Sequence, residues 1–125
     1  MGWEVFRIVL PNIMIIEIFV YAYSLMMDTV EFYNRYVGEY PTKIEIEILE
    51  AIKRILRRQR TKRALITYRD LKREIEKTTW HHKYMFTWIM RQIAKHGGVT
   101  YKKTSRGIYR YYINSESVIW KLVEE

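Results

Sequence analysis

Residues Ile66–Ile113 read ITYRDLKREIEKTTWHHKYMFTWIMRQIAKHGGVTYKKTSRGIYRYYI. Three local signals divide this stretch. Thr67 can cap a helix, with Asp70 three residues on to complete a capping box, and Tyr68, Leu71 and Ile75 recur on one face. Thr78-Thr79 forms a turn and a second cap, opening a longer helix from about Trp80 to His96 that Gly97-Gly98 stops. Beyond the glycines, Val99–Lys103 and Ile108–Ile113 are rich in tyrosine and β-branched residues. Thr104-Ser105-Arg106-Gly107 between them is a hairpin turn with a glycine in it.

Working outward, Gly38-Glu39-Tyr40-Pro41 is a break, because Pro41 forces the residue before it out of helical geometry. Thr42 then offers a cap with Glu45 in the box position. Ile44, Ile48, Leu49, Ile52, Ile55 and Leu56 fall on one face of a helix to about Arg58. Ile44, Ile46 and Ile48 also alternate as in a strand, but the cap and the sustained 3.6-residue period favour helix. After the hairpin, Asn114 or Ser115 caps a last short helix carrying Val118, Ile119, Leu122 and Val123, with Trp120 extending its apolar surface. The expected class is α+β, mainly α.

The chain has 125 residues and no cysteine. That length suits one domain, and disulfides and thiolate metal sites are excluded. The lack of Cys, with abundant Ile, Lys, Arg, Glu and Tyr, suits a thermophile. The net charge of +8 is unevenly spread: residues 1–41 hold two basic and five acidic side chains, residues 42–125 the other 20 basic and 9 acidic ones. The first part is net −3 and the second net +11. A domain this basic attracts polyanions, nucleic acid first and an anionic membrane surface second. Between Arg54 and Arg63 six of ten residues are basic (Arg54, Arg57, Arg58, Arg60, Lys62, Arg63). A helix C-terminus accounts for one or two cations. Arg58, Arg60, Lys62 and Arg63 are therefore candidate phosphate contacts, with plain solvation as the alternative.

On a helical wheel, Met85, Phe86, Ile89, Met90 and Ile93 cluster as a core face, with His82 and His96 among them. Lys83, Thr87, Arg91 and Lys95 follow on the other side, and Trp80, Tyr84 and Trp88 lie on or beside that polar face. A helix face with cations, large aromatics and no acid is unusual for plain solvation. Burial in an interface, or stacking on sugar or base, would account for the rings. Trp88, at the face boundary, reads better as packing. Lys83, Thr87 and Arg91 are the candidate base-contacting residues, and Tyr84 is a further DNA-binding candidate. A lysine or arginine donates to guanine O6 and N7, and a threonine methyl meets a thymine methyl. Lys102, Lys103 and Arg106, with Arg110, make the hairpin basic.

The order helix, helix, cationic helix, basic hairpin resembles the winged helix–turn–helix superfamily found in many archaeal and bacterial regulators. The resemblance covers roughly Thr42–Ile113, or to the chain end if the last helix counts, and rests on patterns rather than invariant residues. It implies a recognition helix at about 79–96 in the major groove and a wing at about 99–113 on the flanking backbone or minor groove. It also implies a sequence-specific double-stranded DNA-binding protein, a transcriptional regulator acting as a homodimer. An RNA-binding protein, or an adaptor using the same fold without reading DNA, is the alternative.

Residues 1–41 depart from that pattern. Ile8–Met27 is apolar all round, interrupted by Pro11, Asn12, Glu17 and Ser24. It reads as a dimer or packing helix, as a membrane anchor, or as a start-site extension ahead of a domain opening at Met26-Met27. Glu17 would cost a membrane span about 2.5–3.5 kcal/mol. The segment is a poor secretory leader. The expected location is the cytoplasm, with membrane association through residues 8–27 left open. His81-His82 and His96 lack a third ligand spaced to make a metal site. No nucleophile–base arrangement, phosphate loop or paired buried carboxylates can be made out. Neither catalysis nor a cofactor nor a small-molecule substrate is expected.

Overall fold

The computed structural model describes residues 28–124. The apolar segment 8–27, with the anchor, dimer and start-site readings placed on it, lies outside the described residues. Among the described residues no helix is long and apolar enough to cross a membrane.

The described chain is α+β and mainly helical, with four α-helices and one three-stranded antiparallel sheet. The helices are α1 (28–36), α2 (Lys43–Arg57), α3 (Tyr68–Glu74) and α4 (Trp80–Ala94). The strands are β1 (Ala64–Thr67), β2 (Val99–Lys103) and β3 (Tyr109–Ile113), and a 3-10 turn covers Val118–Leu122.

Helices α2, α3 and α4 each start at a threonine followed, three residues on, by a side chain that returns a bond to it. Glu45 accepts from Thr42 N–H at 3.1 Å, Asp70 from Thr67 N–H at 2.8 Å, and His82 Nδ1 from Thr79 N–H at 3.0 Å. Such reciprocal caps satisfy amide donors that a helix start leaves orphaned. The third case fixes a tautomer. Thr79 N–H can only donate, so Nδ1 carries the lone pair and Nε2 holds the hydrogen that it gives to Glu47 Oε1 at 2.5 Å. The start of α4 is thereby tied to α2.

The sheet has the order β1-β3-β2. The β2–β3 hairpin follows the expected turn: Thr104 N–H donates to Ile108 O at 2.8 Å, and Gly107 has a φ of 81°. Strand β1 goes beyond the expected hairpin. It pairs with β3 through Leu65 opposite Tyr112 and Ile66 opposite Tyr111. Ile66 is buried and Leu65 exposed, the alternation of a strand with one solvated face. The last element is 3-10 rather than α-helical, and α4 ends at Ala94, two residues before the expected His96.

The core lies where α2 and α4 pack together over the sheet. Ile52, Phe86, Ile89, Met90, Ile93, Tyr111 and Ile119 are buried there, with Trp120 closing one end. Burial of each large apolar side chain is worth about 1.5–3 kcal/mol before entropy is charged against it. Phe32 and Tyr33 of α1 belong to the same cluster. Trp88 sits against this helix, 6.4 Å from the Tyr33 ring, and His96 Nε2 lies 3.1 Å from Tyr36 O. The charge boundary near residue 41 is therefore not a packing boundary for residues 28–37.

Candidate functional site

A groove of about 800 Å³ opens between α3, the start of α4 and the β2–β3 hairpin. Helix α3 contributes Arg69, Lys72 and Arg73, helix α4 contributes Lys83 and Thr87, and the hairpin contributes Arg106 and Arg110. Six of these seven carry a positive charge, and among the described residues no acidic side chain lines the groove. Its floor includes Phe86 and Tyr111, which meet edge to face with centroids 5.5 Å apart.

Each side has a local reason for its position. On α3, Leu71 is fully buried, which turns Arg69 and Arg73 to the opposite face and leaves Lys72 on its flank. On α4, buried His82, Phe86, Ile89, Met90 and Ile93 fix the inward face, leaving Lys83 and Thr87 toward the hairpin. Thr87 Oγ1 donates to Lys83 O at 3.1 Å. On β3 the inward residues are Tyr109, Tyr111 and Ile113, and Arg110 alternates to the outer face of the sheet, so it meets the groove at its edge rather than beside Tyr111.

The hairpin is held to α4 by a stack of cations and rings. The Arg91 guanidinium lies 5.6 Å from the Tyr101 ring centroid and 5.2 Å from that of Tyr109. Lys103 Nζ is 5.7 Å from Tyr109. Such contacts are worth about 0.5–1 kcal/mol each at exposed sites. Arg91 thus bridges the helix to the hairpin as well as adding charge, while the Lys103 contact lies within the hairpin. Tyr111 is 1 % exposed, and its hydroxyl has no hydrogen-bond partner among the described residues. Burial pushes its pKa up, so it stays a neutral phenol.

Of the residues singled out in the sequence, Lys83, Thr87, Arg106 and Arg110 line the groove. Lys102 stands beside it on β2, directly opposite Arg110. Tyr84 projects outward from α4 and is 65 % exposed. The basic run after α2 is not gathered with them. Arg58 forms a two-bond ion pair with the Glu74 carboxylate at 3.1 and 2.7 Å, and Lys62 pairs with Glu124 at 3.0 Å. Arg60 is exposed, and Arg63 lines a shallow hollow with Leu65, Thr100 and Tyr112 on the outer sheet face. Sequence reasoning missed Arg69, Lys72 and Arg73. Their signal is three cations at i, i+3 and i+4, which share one side of a short helix. Among the described residues no group of three or more His, Asp or Glu could hold a metal ion.

The Arg58–Glu74 pair carries a pH prediction. The Arg58 hydrogen bond, opposed by partial burial, holds the Glu74 carboxyl below the ordinary carboxylate range. Glu74 also anchors Arg54, whose guanidinium donates to Glu74 O at 3.0 Å. A carboxyl whose pKa is depressed by folding adds stability above its unfolded pKa and loses it as pH falls through its folded one. Glu74→Gln should therefore lower the urea midpoint slightly at about pH 7, with the difference gone at about pH 2. Urea unfolding of both proteins at the two pH values measures it.

Comparison with known proteins finds no matching family model, no matching curated protein and no matching solved structure.

Proposed function

We propose that this chain is a double-stranded DNA-binding protein of the winged helix–turn–helix type, acting as a transcriptional regulator. Helix α4 enters the major groove and the β2–β3 hairpin lies along the flanking backbone. The observation that carries the reading is the acid-free basic groove, in which three separate elements converge cations on one concave surface. A solvated surface has no need to exclude acids from one concavity, whereas a polyphosphate backbone attracts this pattern. A second feature supports it. Lys102 and Arg110 face each other directly across the β2–β3 ladder. Like charges so placed destabilise a sheet, and a bound polyanion relieves them.

In this reading Arg69, Lys72, Arg73, Arg106 and Arg110 hold phosphates, and Lys83 and Thr87 reach base edges. Arg91 keeps the hairpin at its angle to α4, and its free N–H groups remain available to DNA. The test is duplex binding across a salt series. Affinity should fall steeply with salt, by several powers of the salt concentration, because each neutralised phosphate releases counterions at a slope of about 0.9. Arg106→Ala should weaken binding to all sequences alike, while Lys83→Ala should flatten sequence preference. Absence of duplex binding at low salt rejects the reading, and stronger binding to structured RNA under the same conditions replaces DNA with RNA.

A further inference from the structure

Trp80 is 71 % exposed at the first position of α4, although tryptophan carries one of the largest apolar surfaces of any side chain. It is not loose. Its ring stacks on His81, with centroids 3.7 Å apart and planes 27° apart. One indole face is thus backed by an imidazole and the other is left open. Tyr84, one turn on along the same helix face, is exposed as well. Neither ring lines the groove, but Lys83, three residues after Trp80, and Thr87, three residues after Tyr84, do.

Along its length a paired duplex offers no flat surface to such a ring. Each base within it is covered above and below by its neighbours, and only edges and phosphates face outward. The open π-faces of nucleic acid belong to unpaired bases and strand ends, and an aromatic ring beside a cationic track is how these are held. The geometry points to Trp80, backed by His81, as a stacking platform for an unpaired base beside the duplex. The preferred ligand of this site is then a duplex carrying a single-stranded extension or a melted base, not a blunt duplex. This inference rests on the duplex-binding reading above and narrows the class of DNA that the site takes. His81 is a positioning residue: it keeps the indole flat and touches no base.

The experiment compares a blunt duplex with the same duplex carrying a short single-stranded extension, on the 5′ or the 3′ side, by fluorescence anisotropy on the full chain. One extended duplex should bind about tenfold tighter, as stacking one base on an aromatic ring would give. Trp80→Ala should erase that gain and leave blunt-duplex affinity within about twofold, while Trp80→Phe retains most of it. Because the ring is exposed, circular dichroism of each variant should match the parent. Equal binding of blunt and extended duplexes overturns the platform and leaves duplex binding intact. Equal weakening of both ligands by Trp80→Ala also overturns it, and binding to neither overturns both readings.

Discussion

Gly98→Ala should cost about 3–4 kcal/mol, the largest loss expected from so small a change. Two penalties add at this position. Gly98 has a φ of 77°, in the left-handed region, where a side chain costs about 1–2 kcal/mol. A Cβ there would also lie 2.5 Å from both the nitrogen and the Cα of Ser117. That obstacle is backbone and cannot rotate away. Ser117 caps the 3-10 turn, and Gly98 O accepts from Asn114 N–H at 2.9 Å, so two chain segments meet at this point. The neighbouring glycine separates the two penalties. Gly97 has a φ of 85°, but a methyl group there would meet nothing within 4 Å, so Gly97→Ala should cost only about 1–2 kcal/mol. For a domain of about 100 residues, 1 kcal/mol shifts Tm by roughly 4–8 °C, which puts Gly98→Ala at least 12 °C below the parent. Thermal unfolding of the two variants side by side measures it. Equal losses would mean that the Ser117 loop moves aside.

The contrast between the glycines also marks the limit of what the sequence carries. Gly97-Gly98 is legible as the end of a helix, because positive φ is a local property of the chain. The close approach of Ser117 is not, since it depends on where residue 117 returns in space. The same division runs through the fold. All three threonine caps are legible because a capping box spans four residues, although the histidine acting as acceptor in the third is not an expected box residue. Strand β1 is not legible as a strand: four residues, Ala64–Thr67, gain their conformation from β3, more than forty positions on. In the groove, the cations of α4 and the hairpin stand out because they lie next to the turn and the glycines that delimit those elements. Those of α3 sit in a seven-residue helix too short for its polar face to draw notice. The densest cationic run, Arg54–Arg63, gives the strongest linear signal but contributes no lining residue to the groove. Linear density does not report direction: Arg54 and Arg58 fold back onto Glu74, clamping the C-terminus of α3 to that of α2.

Replacing Arg69, Lys72 and Arg73 together by glutamine should cut duplex affinity at low salt about a hundredfold and lower the salt slope by up to roughly 2.7. The size follows from counterion release at about 0.9 per phosphate contact, with three contacts removed. The fold should survive, since none of the three side chains is buried and glutamine is a good helix former. The losses within the protein are small: an ion pair between Arg73 and Asp70 at 4.0 Å and a contact of Lys72 with the Tyr68 ring at 5.9 Å. The comparison that gives the result meaning is Arg60→Gln with Arg63→Gln. Those two cations belong to the denser run, are exposed, and do not line the groove. If the polyanion follows the groove, the double variant keeps the parental slope to within about 0.5, since the long-range field of two distant charges is screened beyond about 10 Å at 0.1 M salt. If it follows the run of charge instead, the double variant loses about 1.8 and the triple variant keeps its slope. Salt titrations of the three proteins against one duplex therefore decide between a surface built by the fold and one defined only by linear charge density.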